Sequence, residues 1–322
     1  MASVTQPLIT DQDDNVNGNI SKYSTILNTH PSAISDEIIA GEYEDRRSPE
    51  ATRARLLLAI RAMCGELLCT TLFFTTMFAT IASTVRNKVD PSIQAFFTAI
   101  SSGLIAVALI YAFSSISGAH FNPAITFATY VTRKTSHRRF VGYIVAQLIG
   151  SILAMCIIWF IFPHPSDLYT KIAVIPPTTD LARVFAMEVF LTFTFTYVAF
   201  TVAYEEAQTE KKLARSSANV QTIQNSKGLA LFVTTPQART GFAPFAIGFT
   251  IFCMMLIGSS VSDGAFNPCR LFGPAIFSNR WDYQYIYWIA QLLGAAVAGL
   301  FVHHVQVLGL PDKKKQQQNQ AP

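Results

Sequence analysis

The sequence is poor in charged residues. Only 14% of its 322 residues are Asp, Glu, Lys or Arg, whereas 51% are hydrophobic, and a typical soluble domain has about 25% charged residues. The few charges are unevenly spread and leave long apolar stretches between them, each about the 20 residues needed to cross a bilayer. The composition therefore argues against a soluble enzyme and predicts an all-α protein in a membrane.

Other signals are missing as well. The five cysteines lie in apolar segments and form no Cys-x-x-Cys pair, which argues against a disulfide framework or a zinc site. Residues 1–45 are polar and acidic, so we expect no cleavable signal peptide. The basic residues form short clusters rather than one stripe, which argues against a nucleic-acid partner despite the net charge of +4. No metal, cofactor or catalytic group is predicted.

Six spans are predicted by length and hydropathy. They cover residues 57–83, 93–114, 141–162, 181–203, 242–261 and 284–307. Eighteen of the 24 Lys and Arg residues fall on the side that holds both termini, so both termini are expected to be cytoplasmic. Polar composition predicts flexible tails over 1–50 and 312–322, on either side of a membrane domain over 51–311.

An internal repeat divides this domain into halves at 56–162 and 180–308. Three motifs recur in the same order, and the paired segments are 65–68 with 187–190, 117–124 with 263–269, and 146–150 with 290–294. Each half holds three spans, an odd number, so the second half enters the membrane in the opposite orientation. This predicts an inverted repeat, as in many transporters and channels. Small residues in the third pair favour close helix packing.

Each half also carries an Asn-Pro pair after its second span, followed by about ten fairly apolar residues, too few to cross the bilayer. Asn is a favoured helix N-cap and Pro a favoured first helical residue. Asn122-Pro123 and Asn267-Pro268 therefore predict two re-entrant half-helices that meet N-terminus to N-terminus. Their positive ends would repel cations, and the asparagine amides would hold the oxygen of a passing water or hydroxyl group. Ordinary connecting loops are the alternative.

These segments resemble a known family, the aquaporins or major intrinsic proteins. Residues 117–124 and 267–275 are similar to its two signatures, and the resemblance covers about 57–308. It implies six spans with two half-helices, one pore per protomer, a homotetramer, and passive movement of water or small neutral solutes. The pore motifs that it implies are Asn122, Pro123, Ala124, Asn267, Pro268 and Cys269.

The resemblance also implies a selectivity filter formed by Arg270, Ser102, Met255 and Gly264. A guanidinium at the mouth would repel cations and donate hydrogen bonds to solutes. Water-specific members usually carry an aromatic residue and a His where Ser102 and Met255 stand. Glycerol facilitators usually carry filter aromatics and an Asp where Leu271 stands. The filter therefore fits neither subtype.

Four further residues have two interpretations each. Glu66 and Glu188 are acids at membrane depth, expected to accept hydrogen bonds from the re-entrant backbone, with proton coupling as the alternative. His120 is expected to line the inner half of the path, with pH sensing as the alternative. Cys269 is expected to pack as a small apolar residue, or else to expose its thiol to the path.

The fourth connection, 204–240, is the long one. It mixes charges with a small apolar cluster and holds Ser216 and Ser217 after an arginine. One hypothesis is a cytoplasmic gate that a protein kinase rearranges through these serines. A solvated loop or a partner-binding segment is the other interpretation.

The sequence as a whole predicts a passive water channel, not an enzyme, in the plasma membrane or an intracellular vesicle membrane. A facilitator of glycerol or other small neutral solutes is the alternative within the family. From other classes, an inverted-repeat secondary transporter would need a coupled ion site, and a receptor or structural membrane protein would not need paired re-entrant caps.

Overall fold

The computed structural model describes residues 49–162, 168–174, 180–224 and 241–307. Within these residues the chain is helical and has no strand. The helices are α1 (Pro49–Arg86), α2 (Pro91–Ser117), α3 (Pro123–Val131), α4 (His137–Ile161), α5 (Leu168–Ile172), α6 (Leu181–Gln224), α7 (Ala243–Gly258), α8 (Pro268–Ser278) and α9 (Gln284–Phe301), with a π-helical segment, Val302–Val307, after α9. The chain divides into two compact units between Ala62 and Met63, and every contact described below lies within the second.

Five helices of the described residues, α1, α2, α4, α6 and α9, are long and apolar enough to cross a membrane. The fifth predicted span, 242–261, is shorter than expected. Its helix, α7, has 16 residues and ends at Gly258, so it is about 24 Å long at 1.5 Å per residue. Turns follow over 259–264 and bring Gly264 directly against Gly258, so that the Gly264 Cα would lie 2.6 Å from a Cβ at position 258.

Large apolar side chains cover the outer surfaces of these helices. Leu104 on α2 is 66% exposed, Phe160 on α4 is 83% exposed, and Phe249 on α7 is 67% exposed. Apolar surface on this scale is unfavourable in water and is expected where helices face lipid. The predicted all-α membrane fold is confirmed.

The predicted loop over 204–240 is wrong in its first part. Helix α6 does not end near residue 203 but continues to Gln224, so 204–224 is helical, including Ser216 and Ser217. The physical reason is local: this stretch is rich in Glu, Lys, Ala, Gln and Arg, all strong helix formers, and contains no Gly or Pro. Residues 225–240, with the apolar cluster of the gate hypothesis, lie outside the described residues.

Each half-helix packs on a membrane-spanning helix of the other half of the molecule. Helix α3 of the first half packs on α9 of the second, and α8 of the second half packs on α4 of the first. Helices α2 and α7 cross at two glycines. A Cβ at Gly103 would lie 2.7 Å from the Gly248 carbonyl oxygen, and one at Gly248 would lie 2.5 Å from the Gly103 oxygen. No residue larger than glycine fits this crossing without a shift of the backbone.

The small residues of the third repeated motif bring helices together as predicted. A Cβ added at Gly150 of α4 would lie 2.9 Å from the Leu67 carbonyl oxygen of α1. A Cβ added at Gly294 of α9 would lie 2.5 Å from the Val189 oxygen of α6. The first and third spans of each half therefore touch at the same relative position.

Helix α2 has a complete N-terminal cap. Asp90 accepts a hydrogen bond from the Ser92 amide at 2.9 Å, and Pro91 occupies the first helical position. The Ser92 hydroxyl also donates to the Asp90 carboxylate. These hydrogen bonds from the Ser92 side chain and backbone lower the pKa of Asp90 below its ordinary value. The charged carboxylate is the form that caps the helix.

Candidate functional site

Both Asn-Pro pairs begin half-helices. Asn122 precedes α3 in an extended conformation, and its Oδ1 accepts a hydrogen bond from the Ala124 amide at 2.8 Å. Asn267 precedes α8 in nearly the same conformation, and its Oδ1 accepts from the Cys269 amide at 3.0 Å. Each side-chain oxygen therefore satisfies an amide that has no partner within its own helix.

The two helix tips are joined by a pair of crossed hydrogen bonds. Asn122 Nδ2 donates to the Phe266 carbonyl oxygen at 3.0 Å. Asn267 Nδ2 donates to the Phe121 carbonyl oxygen, also at 3.0 Å. Each side chain thus reaches the loop of the other half of the molecule. A side-chain amide carries two N–H donors, so each asparagine has a second donor beyond its crossed bond.

A buried glutamate holds each loop that leads to a helix tip. Glu66 of α1 accepts from the backbone amides of His120 and Phe121 at 2.9 and 2.8 Å. Glu188 of α6 accepts from the amides of Ala265 and Phe266 at 3.1 and 2.8 Å. Both glutamates have no exposed surface, and a buried charge needs such donors.

Two further donors complete each glutamate site. Ser117 Oγ and Gln147 Nε2 donate to Glu66 at 2.6 and 2.8 Å. The corresponding residues of the second half, Ser262 and Gln291, donate to Glu188 at 2.6 and 2.7 Å. Each carboxylate therefore accepts four hydrogen bonds, two on each oxygen.

A tyrosine in each half supports the same loop, and the sequence analysis overlooked it. Tyr143 donates to the Ser117 carbonyl oxygen at 2.6 Å, and Tyr287 donates to the Ser262 oxygen at 3.0 Å. A signal was present in the sequence. Each tyrosine stands four residues before the glutamine of the third repeated motif, Gln147 in 146–150 or Gln291 in 290–294. That spacing places both side chains on one helix face.

The loops held in this way have an unusual backbone. Three residues of each loop have positive φ: Gly118 (96°), Ala119 (50°) and Phe121 (32°) in the first half, and Asp263 (61°), Gly264 (54°) and Phe266 (28°) in the second. Residues other than glycine adopt this region at a cost of about 1–3 kcal/mol each, and only where the surroundings enforce it. The glutamate hydrogen bonds supply that enforcement.

A narrow cavity lies where the tips meet, with room for about one water molecule. Asn122, Asn267 and Arg270 supply polar groups to its wall. The rest of the wall is mainly aromatic and aliphatic, and it consists of Phe73, Phe74, Met77, Phe121, Phe195, Ile251, Met255, Ala265 and Phe266. Few polar groups among apolar walls are the usual arrangement of a site for a small molecule.

Arg270 is fixed from several sides. Its Nη1 donates to the Ile172 carbonyl oxygen of α5 at 2.6 Å, and its Nη2 donates to Asp263 Oδ2 at 3.0 Å. The guanidinium carbon lies 5.6 Å from the centre of the Phe78 ring, a cation–π distance. Arg270 Nε is buried and has no partner among the described residues.

The other predicted filter residues lie in different places. Met255 lines the cavity with Arg270, and Gly264 packs against Met255, whose carbonyl oxygen would lie 2.8 Å from a Cβ at position 264. Ser102 is fully buried, its hydroxyl donates to the Thr98 carbonyl oxygen within α2, and it does not line the cavity. The structure therefore brings three of the four filter residues together.

Two more predicted residues lie beside the cavity rather than in its wall. His120 Nδ1 is 3.2 Å from Thr126 Oγ1, and its ring packs edge-on against Tyr143. Cys269 is fully buried in the apolar core. Neither residue lines the cavity. Within the described part of the chain, no group of three or more His, Cys, Asp and Glu residues could hold a metal ion.

Comparison with known proteins identifies similar sequences. A family model described as "Major intrinsic protein" matches residues 53–302. The chain is 45% identical over 255 residues to Aquaporin-B of Dictyostelium discoideum, an alignment that covers 78% of this chain and 84% of that protein. It is 32% identical over 250 residues to an aquaporin of Encephalitozoon hellem, covering 76% of this chain and 93% of that protein.

A solved structure has the same fold. The aquaglyceroporin from Plasmodium falciparum superimposes with a TM-score of 0.60, covering 78% of this chain and 98% of that one. The two sequences are 18% identical over this match. At that level of identity the likeness concerns the arrangement of helices.

Proposed function

The chain belongs to the major intrinsic protein family, and on that premise we propose that it is a passive channel for water. Members of this family are channels for water or glycerol-type solutes and are not enzymes. The protein is accordingly an integral membrane protein that conducts water or small neutral solutes. The choice of water among these solutes is the proposal.

The observation that carries the proposal is the pair of crossed hydrogen bonds between Asn122, Asn267 and the opposite loops. They keep the positive ends of α3 and α8 together, each equivalent to about half a positive charge. The positive N-terminal ends of both half-helices repel a cation at this point. A water oxygen, in contrast, accepts a hydrogen bond from the second N–H of each asparagine. Apolar walls offer no competing acceptor, so water passes without a high barrier.

The size of the cavity favours water over larger solutes. It has room for about one water molecule beside Met255 and Arg270. In this proposal Arg270, Met255 and Gly264 form the narrowest filter, and the Arg270 guanidinium donates to the passing oxygen. Ser102 and His120 support the wall from behind. Facilitation of glycerol is the alternative, because Gly264 contributes no side chain to this filter.

The glutamates have a static role in this proposal. Four hydrogen bonds saturate each of Glu66 and Glu188, which leaves no free lone pair pointing at the path. Proton-coupled transport by an inverted-repeat secondary transporter would need an acid that exchanges protons with the path. The arrangement therefore supports a channel over a coupled transporter.

Assembly and regulation are part of the proposal on sequence grounds. We propose a homotetramer in the plasma membrane or a vesicle membrane, with both termini cytoplasmic. Residues 204–240 would gate the cytoplasmic mouth, and phosphorylation of Ser216 or Ser217 by a kinase would add about −1.5 to −2 charges there. Removal of 225–235 tests this gate: an unchanged water permeability in proteoliposomes would exclude it.

The channel function is tested by stopped-flow light scattering of proteoliposomes. Osmotic gradients of sucrose, glycerol and urea are compared on one preparation, with protein-free vesicles as the baseline. We expect fast shrinkage in sucrose and no fast re-swelling in glycerol or urea. Fast re-swelling in glycerol would establish the alternative solute, and shrinkage at the baseline rate would contradict the proposed channel function.

A further inference from the structure

An acidic side chain stands beside the arginine of the path. Asp263 Oδ2 accepts the hydrogen bond from Arg270 Nη2 at 3.0 Å. The Asp263 side chain is 37% exposed, whereas that of Arg270 is 4% exposed. The carboxylate is therefore the member of the pair that is more exposed to solvent.

The fold does not require an acid at this position. Gly118 stands four residues before Asn122, as Asp263 stands four residues before Asn267. Both have positive φ, 96° and 61° respectively. Glycine adopts this conformation at the lowest cost, although Asp and Asn tolerate it better than other residues. Because the same turn is built with glycine in the first half, the carboxylate of Asp263 must be explained by its chemistry.

We propose that Asp263 sets the charge selectivity of this end of the path by offsetting the positive charge of Arg270. This inference rests on the proposed channel function, since it assigns a role at the same path. Two opposite charges about 3 Å apart largely cancel at greater distances. The Asp263–Arg270 pair then has a dipole but no net charge. Cations are therefore excluded by the positive helix N-termini at Asn122 and Asn267.

Asp263 also holds the guanidinium against the wall. Together with the Ile172 carbonyl oxygen it occupies both terminal nitrogens of Arg270. Only Nε is without a partner in the described residues. A guanidinium has five N–H donors, and these two hydrogen bonds use two of them. The pair thus offers an oncoming solute remaining donors from Arg270 and, from the partly exposed carboxylate, an acceptor. A filter made of an unpaired arginine would offer donors alone.

A charge cycle of four proteins tests this role. Asp263→Asn removes the negative charge, keeps an oxygen that accepts from Arg270, and suits the positive φ. Arg270→Gln removes the positive charge and keeps donors. The wild type and the double variant have no net charge at the pair, D263N has one positive charge, and R270Q has one negative charge. Uptake of tracer rubidium into proteoliposomes measures cation entry, and osmotic shrinkage measures water flow in the same vesicles.

We expect rubidium entry to follow the charge at the pair. R270Q should take up rubidium roughly tenfold or more faster than the double variant, which should match the wild type. A purely structural role for Asp263 would not produce this order. Equal uptake by R270Q and the double variant, including none in either, would overturn the proposal. Absence of water flow in the wild type would instead count against the channel function.

A second measurement does not depend on R270Q folding. In D263N the unpaired guanidinium should favour anions, so the ratio of tracer chloride uptake to rubidium uptake should rise several-fold over the wild-type ratio. Asp263→Gly, which copies the first half of the molecule, should give the same rise. An unchanged ratio in both variants would overturn the proposal.

Discussion

Substitution of Glu188 by Gln probes the loop that positions Asn267. Oε1 of Glu188 accepts from Ser262 Oγ and the Ala265 amide, and Oε2 accepts from the Phe266 amide and Gln291 Nε2. A glutamine has one acceptor oxygen, so two of these donors face an NH2 group instead. Whichever way the new amide is oriented, one of these two donors can find another arrangement, and the other is left without an acceptor.

The side chain that can rearrange is Gln291 in one orientation of the new amide and Ser262 in the other. If the NH2 replaces Oε2, the Gln291 amide can turn and accept, because its Oε1 has no partner among the described residues. If the NH2 replaces Oε1, the Ser262 hydroxyl can rotate and accept. One backbone N–H, of Phe266 or of Ala265, stays without an acceptor. A buried orphan donor costs about 1–3 kcal/mol, so E188Q should lose about that much stability.

The assay is thermal unfolding of detergent-solubilised protein followed by tryptophan fluorescence. We expect a lower midpoint for E188Q, and for E66Q by the same geometry in the first half. The control is Ile257→Val, at a side chain that is 47% exposed, and it should leave the midpoint unchanged. Wild-type stability of E188Q, or a stable E188Q that has lost a pH dependence of solute flow shown by the wild type, would refute the static role of the glutamate.

Three further predictions follow from the described contacts. Because the pKa of Asp90 is lowered in the folded state, its stabilising contribution is present at neutral pH and is lost as the pH falls below about 4. D90N should therefore flatten the loss of thermal stability between pH 6 and 3, and equal slopes would contradict the cap. Gly248→Ala places a Cβ 2.5 Å from the Gly103 carbonyl oxygen and should cost about 1–3 kcal/mol, seen as a lower unfolding midpoint than that of Gly241→Ala. Cys269 is fully buried, so mercurials should affect the water permeability of the wild type and of Cys269→Ser equally; a block of the wild type that Cys269→Ser relieves would place the thiol in the path.

The features predicted best from the sequence are those set by local chemistry and by the repeat. Asn-Pro followed by ten apolar residues is a strong start signal, and the structure begins α3 and α8 at Pro123 and Pro268. The repeat placed Glu66 and Glu188 at matched positions, and both contact matched loops. Local capping rules and internal symmetry reinforce each other here.

The features that the sequence did not predict are two helix ends and one ion pair, which depend on the membrane boundary and on tertiary contacts. Hydropathy ended the fourth span near residue 203, but helix propensity carries α6 to Gln224 because aqueous surroundings do not end a helix. The end of α7 at Gly258 is accompanied by a tertiary contact with Gly264, which hydropathy does not report. The pairing of Asp263 with Arg270 depends on the positive φ of the loop residue Asp263 and on the position of Arg270 in the first turn of α8, and spacing alone does not show it.

The central claim is that the two asparagine tips, held together by crossed hydrogen bonds, admit water. The most direct measurement is the osmotic water permeability per protein of N122A and N267A, reconstituted at equal density with the wild type. Each variant loses one crossed bond and one helix cap, so both should fall, by roughly tenfold or more if about 1.4 kcal/mol of barrier is added. Similar losses in the two variants are predicted, and wild-type permeability in either one would contradict the account.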